Sequence, residues 1–287
     1  MPFERGGTNA HALFYNAELF ETFDVPPPTH DMSWDEVIEL ARNVTGDVGG
    51  TRVYGLDMGD CTLLKMQMGL TCLDPDTHES RLREPEWQPF FRIVRDAYGI
   101  PGGYQETDER LFVFGKSFKR KGNVAMSVHC PQCLSGGAPF RMGLVSFPRY
   151  GERKRMPSGT RATFLALHPK SKRKERAVEV MTYLASEPLQ MHLARRGHVP
   201  AIRRSLYAEQ YGSETPLVSG DGGSLSWLFE QEDEVWFPVE QSNYEWQASR
   251  IVKEEMVRAV RKEADWGGAI DRMEERIEAM LAAAGPS

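Results

Sequence analysis

The chain has 287 residues, enough for one large domain or two smaller ones, and 40% apolar with 26% charged residues is an ordinary globular balance. A net charge of −6 argues against a nucleic-acid partner, which calls for a basic face; the short basic runs 119–121 and 170–176 read as solvated loop or helix surface. No run of about 18 apolar residues, the length of a membrane-spanning helix, is present.

Met1 to Arg5 lacks the basic and apolar regions of a signal peptide. Ala10 to Phe14 is a short apolar run that predicts a strand, and Ala17 to Phe23 predicts a short helix stopped by Pro26-Pro27-Pro28. Ser33 and Glu36 form the S-x-x-E capping box of the next helix, whose face carries Trp34, Val37, Ile38, Ala41 and Val44. Gly46, Gly49 and Gly50 are read as its stop, before a strand at Val53 to Leu56.

Pro85 suits the first turn of a helix with Trp87, Phe90, Phe91 and Val94 on its buried stripe. Val124 to Val128 and Met142 to Phe147 predict strands, 148–160 a loop, and Phe164 to Leu167 a further strand. Ser171 is expected to cap a helix that faces Ala177, Val178, Met181 and Leu184 inward, and Ser186 the next, with Pro188 in its first turn and Gly197 past its end. Residues 208–225 read as loop. Ser242 and Glu245 have the spacing of a second capping box, opening a helix to about Glu263. Ile270, Met273, Ile277, Met280 and Leu281 mark an amphipathic terminal helix. Alternating helices and strands make the class α/β.

The chemical motifs are few. Cys130-Pro131-Gln132-Cys133 is a C-x-x-C that follows a predicted strand, as a redox pair would. A zinc site needs further ligands; Cys61 and Cys72 have no such spacing, and no H-x-E accompanies the pair. Packed small residues or a disulfide are the preferred readings. No G-x-S-x-G, P-loop or G-x-G-x-x-G is present. Aromatic residues are plentiful, and Trp227, Trp236, Phe237, Tyr244 and Trp246 fall near loop–helix junctions; an aromatic face with polar neighbours suits a sugar, though core packing explains any single one as well.

The order of segments resembles that of family 1 extracellular solute-binding proteins. Ala12 to Phe20 is similar to the family's "aLyYNkdlF" run, and Ser33-Trp34-Asp35-Glu36 to its "tWdE" helix start. Phe118 to Met126 resembles "F..GkvAM", Arg161 to Pro169 stands in place of the crossover strand, Ala177 to Gln190 resembles "Aa.eFl.yLtspe.Q", and Gly197-His198-Val199-Pro200 resembles "G.lPa". The resemblance covers nearly the whole chain; each motif is weak, and their order is specific.

The resemblance implies a type II periplasmic-binding-protein-like fold of two α/β lobes that close on ligand by a hinge. Members are longer at the N-terminus by about one lobe's worth of chain, so this chain is expected to be N-terminally truncated, which also accounts for the missing signal peptide. It is expected to be mostly the C-terminal lobe: residues 1–157 its first part, 158–207 a returning segment of the N-terminal lobe, and 208–287 the last part with the terminal helices.

The implied function is the substrate-binding component of a bacterial ABC importer. It would bind a sugar or oligosaccharide between the lobes and deliver it to permease subunits, as an extracellular or periplasmic monomer, membrane-anchored as a lipoprotein in the full-length protein. No catalysis, cofactor, metal or nucleic acid is expected. Ligand contacts carry over to Thr8 and Asn9, to Asp57, Met58 and Asp60 in the loop after Val53 to Leu56, to Gln132 where the family often has an aromatic, to Arg161 at the crossover, and to Trp246 and Arg250. A carbohydrate-active enzyme using cleft carboxylates, or a thiol or zinc protein built on Cys130 and Cys133, are the alternatives from other classes.

Overall fold

The computed structural model describes residues 2–5, 11–103, 116–129, 138–152, 162–198, 200, 205–215, 240–261 and 264–284. In chain order the elements are β1 (Pro2–Arg5), β2 (Ala12–Asn16), α1 (Ala17–Thr22), α2 (Trp34–Asn43), β3 (Gly46–Val48), β4 (Thr51–Asp57), α3 (Thr62–Met68) and α4 (Trp87–Tyr98). Then come α5 (Lys116–Lys121), β5 (Val124–His129), β6 (Met142–Ser146), β7 (Ala162–Phe164), α6 (Lys174–Leu184), α7 (Glu187–Arg195), α8 (Ser205–Gln210), α9 (Glu245–Val260) and α10 (Ala269–Ala284).

One sheet has the strand order β3-β4-β5-β2-β6. β4 is parallel to β5, and β2 is antiparallel to both β5 and β6, so β4, β5 and β6 share one direction and β2 is inserted against it. The strand at β2 begins and ends two residues later than its apolar run suggests. The reason is Asn16, which closes the strand and caps α1 by accepting a hydrogen bond from the Glu18 amide at 3.1 Å.

Period-two alternation in β2 sends Leu13 into one hydrophobic cluster and Ala12 and Phe14 into another, on opposite faces of the sheet. The larger cluster is built from α2, α4, α9 and α10: Trp34, Val37, Ile38 and Ala41 meet Phe90, Ile93, Ile251, Met256, Met273 and Ile277. The capping box of α2 is present in full, with Ser33 Oγ accepting from the Glu36 amide and Glu36 Oε2 accepting from the Ser33 amide. Gly55 lets α2 lie directly on β4, because a Cβ there would run into the Ala41 carbonyl oxygen. On the other face, Phe118 of α5, Ala194 of α7, Tyr207 of α8 and Tyr211 cover Ala12, Phe14, Val124 and Leu144.

Away from this sheet, β1 and β7 pair antiparallel as a two-stranded ribbon, Pro2 opposite Phe164 and Arg5 opposite Ala162. Residues some 160 apart in sequence therefore run side by side, and the strand expected at Phe164 to Leu167 lies earlier because its partner is the N-terminal segment.

Several boundaries differ from the sequence reading. Gly46 opens β3, and Gly49 and Gly50, both at positive φ, form the two-residue turn of the β3–β4 hairpin, which places Val48 opposite Thr51. α6 has Arg173 as its cap residue with no side-chain bond, while Ser171 Oγ accepts from the Arg173 amide in a local turn. Ala177, Met181 and Leu184 are half-buried, but Val178 is 51% exposed, and Val180 and Tyr183 join it in the solvent. Residues 205–210, within and beside the expected loop, form α8. Gly197 does follow α7 with φ +83°, although Ser186 makes no capping bond.

Candidate functional site

In an open α/β sheet, ligands bind outside the carboxyl ends of the parallel strands. That edge is well defined. Ala12 at the start of β2 lies opposite both His129 and Ser146, the last residues of β5 and β6, and Asp57 at the end of β4 lies opposite Ser127.

The loop after β4 is held tightly. Asp57 Oδ1 accepts from the Gly59 amide at 3.0 Å, and Gly59 sits at φ +65° with its Cα against the Val128 carbonyl, where a Cβ would approach to 2.8 Å. Asp60 Oδ1 accepts from the Thr62 amide at 3.0 Å in the turn leading into α3, and its Oδ2 receives the Lys253 ammonium of α9 at 2.9 Å. Met58, between them, is 2% exposed and packs in the main core.

Behind the edge lie His11 and His129, both 2% exposed, with His129 edge-on to Phe14. Burial, and then the neighbouring His11, push the pKa of His129 down to about 4, so its ring is neutral near pH 7.

α9 reaches this edge through Lys253. Trp246, Arg250 and Lys253 have the i, i+4, i+7 spacing of one helix face, which places Trp246 roughly 10 Å along the axis from the Lys253–Asp60 contact. Trp246 is 70% exposed, far more than the 2% of Trp34 or the 1% of Trp87. The Arg250 guanidinium lies 5.4 Å from the Trp246 ring centroid and covers part of one ring face, and Arg250 also pairs with Glu254 at 3.6 Å. Lys253 thus ties α9, the helix that carries Trp246 and Arg250, to Asp60 of the loop after β4. Thr8, Asn9, Gln132 and Arg161, like Cys130 and Cys133, lie outside the described residues.

The N-terminus of α9 is anchored differently from its sequence signature. Tyr244 is the cap residue, and Glu245 is the first helical residue, 5% exposed. Its carboxylate accepts from Lys65 Nζ at 2.5 Å, from Ser249 Oγ at 3.1 Å, and from the Cys72 and Leu73 amides at 2.9 and 3.2 Å. Ser242 Oγ accepts from the Tyr244 amide and bonds His78 Nδ1 at 3.0 Å. Serine and glutamate three apart are common to a capping box and to this buried pair, and only the position of Lys65 decides between them.

Burial works against the Lys65 ammonium, but the groups around it, Glu245 included, outweigh that and hold its pKa above the ordinary lysine value. Burial pushes the Cys72 thiol up to about 12, so it is an inert packing group at neutral pH. Glu245 was legible only as a capping-box glutamate, and Lys65 had no motif; a lysine among Leu63, Leu64 and Met66 was its one signal.

Among the described residues no group of three or more histidine, cysteine, aspartate or glutamate side chains could hold a metal ion, and no helix is long and apolar enough to cross a membrane.

No family model matches the sequence, and no curated protein matches it significantly. Solved structures do match the fold. An ABC substrate-binding protein from Listeria monocytogenes in complex with cycloalternan is 14% identical with a TM-score of 0.67, and the match covers 95% of this chain and 69% of that one. An ABC transporter solute-binding protein from Agrobacterium vitis with bound D-mannitol is 17% identical, with a TM-score of 0.66 and 99% and 73% covered. Maltose-bound MalE3 of T. maritima is 19% identical, with a TM-score of 0.61 and 98% and 72% covered. The chain therefore has the α/β, type II periplasmic-binding-protein-like fold of sugar ABC transporter solute-binding proteins, over about 70% of the length of those structures.

Proposed function

We propose that this chain is the substrate-binding component of a bacterial ABC importer, taking a sugar or oligosaccharide at the carboxyl edge of its five-stranded sheet and delivering it to permease subunits. The observation that carries the reading is the exposed Trp246–Arg250 face of α9, tied by Lys253 to the Asp57–Asp60 loop at the edge where this fold class takes its ligands. An indole plane offers its apolar face to a sugar's CH groups, while Arg250 and the loop carboxylates supply donors and acceptors for hydroxyls. The reading is capture without turnover, and among the described residues of this face no side chain is arranged as a nucleophile with its base.

In this reading residues 1–157 and 208–287 form one lobe and 158–207 belong to the other, with the β1–β7 ribbon as a crossing between them. Support comes from α6, which buries none of its side chains; Ala194 and Tyr207 carry the contact of this segment with the sheet. Ligand binding shifts the population toward a closed form. The protein works outside the cytoplasm, extracellular or periplasmic, as a monomer held at the membrane by a lipid anchor.

The test is calorimetric titration of the 287-residue chain with maltose, D-mannitol and cycloalternan, with chromatography of the saccharide afterwards. Saturable binding with the saccharide recovered intact is the expected result. Cleaved saccharide, or no heat from any of the three, overturns the proposal.

A further inference from the structure

We propose that Lys65 and Glu245 are positioning residues of the binding face: their buried ion pair fixes the first turn of α9 and so sets where Trp246 points. The inference rests on the reading of that face as the ligand site. Its basis is a pair whose stability value alone does not explain its presence. Lys65 and Glu245 are 8% and 5% exposed, and both have been taken out of water. A buried pair of this kind commonly does no better for stability than two apolar side chains of similar volume. What it has, and an apolar contact lacks, is direction.

The carboxylate of Glu245 is fixed by donors from three separate elements. Lys65 comes from α3, the Cys72 and Leu73 amides from the turn after it, and Ser249 from the next turn of α9. Lys65 Nζ in turn donates to Ser249 Oγ at 2.7 Å, so two residues one helical turn apart are tied to one ammonium. Two such points hold the first turn of the helix in one orientation. Trp246 follows Glu245 directly, and successive helical residues are about 100° apart, so a side chain pinned inward at 245 forces the next one outward. The 5% exposure of Glu245 beside the 70% of Trp246 is that arrangement. Ala248, Ile251, Val252 and Met256 seat the following turns of α9 in the core, so the pair acts on the first turn, the one that carries Trp246.

The test compares the wild-type chain with the double swap Lys65→Met/Glu245→Leu, which avoids leaving one charge buried alone. The readout needs no ligand: the indole N–H signal of Trp246 in a nitrogen–proton correlation spectrum, assigned by its loss in Trp246→Phe. In the double swap this signal is expected to move and broaden, while that of Trp34, bonded to Gln67 at 2.9 Å in the core, stays in place. Phe90→Leu, a core change in α4, serves as the control for lost stability alone and should leave Trp246 unmoved. Should the double swap not fold, Lys65→Met/Glu245→Gln, which keeps an acceptor for the two amides, is read in the same way. With whichever saccharide the wild type binds, affinity is expected to fall about tenfold. A folded swap whose Trp246 signal sits at the wild-type position overturns the inference. Failure of the wild type to bind any saccharide sinks the function proposed for the face and leaves the indole result to decide the positioning role.

Discussion

Trp246→Ala places opposite demands on a binding platform and on a structural anchor. The side chain is 70% exposed, and the ring contact described for it is the Arg250 guanidinium at 5.4 Å. Truncation gives up an exposed cation–π contact, about 0.5–1 kcal/mol, and little buried area. Trp34→Ala is the contrast: that ring is 2% exposed, edge-on to Phe147 and bonded to Gln67, and its loss should cost about 3–5 kcal/mol. For saccharide binding the order reverses. Removing the Trp246 platform should weaken affinity by about 1–3 kcal/mol, roughly five- to 150-fold. Urea unfolding at constant slope gives the first quantity and calorimetry the second. If Trp246→Ala unfolds like Trp34→Ala, or if the folded variant binds as tightly as the wild type, the assignment of Trp246 to the ligand face is refuted.

Three further outcomes follow from the geometry. Glu245→Ala alone strands the Lys65 ammonium and two amides in the interior, so urea unfolding should show a loss of about 3–5 kcal/mol; a loss below about 1 kcal/mol would mean the pair is not buried as described. Gly59→Ala asks for a left-handed backbone and sets a Cβ 2.8 Å from the Val128 carbonyl oxygen, so a loss of at least about 1–2 kcal/mol should be measured in the same assay. Asp74 has its pKa lowered to about 2, first by the Thr77 amide and then by Arg81, so its contribution is present above the ordinary carboxylate pKa and lost as pH falls toward 2. An acid titration of the wild type should therefore show a destabilisation between pH about 4 and about 2 that is smaller in Asp74→Asn, where the lowered carboxyls of Glu36, Glu255 and Asp265 remain.

The helices whose apolar spacing is regular were legible from residue order alone. The stripes of α2, α4 and α10 are buried where Val37, Phe90 and Met273 placed them, and the Ser33–Glu36 box is a local device that needs no partner from elsewhere. The α/β class and the type II periplasmic-binding-protein-like fold were also legible, because they rest on the order of such segments. The link between α9 and the loop after β4 was not legible: Lys253 reaches Asp60 across 193 residues of sequence, and nothing in the spacing of the two says so.

What tertiary structure decided were the matters in which a residue's role depends on a partner distant in sequence. Gly49 and Gly50 stop a helix or turn a hairpin according to whether β3 finds β4. β7 lies where residues 2–5 pair with it. Glu245 caps its own helix or spans to Lys65, 180 residues away, according to what lies beneath it, because a carboxylate goes to the donors that desolvation leaves nearest. Local propensity is written in neighbouring residues, whereas burial and ion pairing belong to the packed chain, and the orientation of Trp246 is of the second kind.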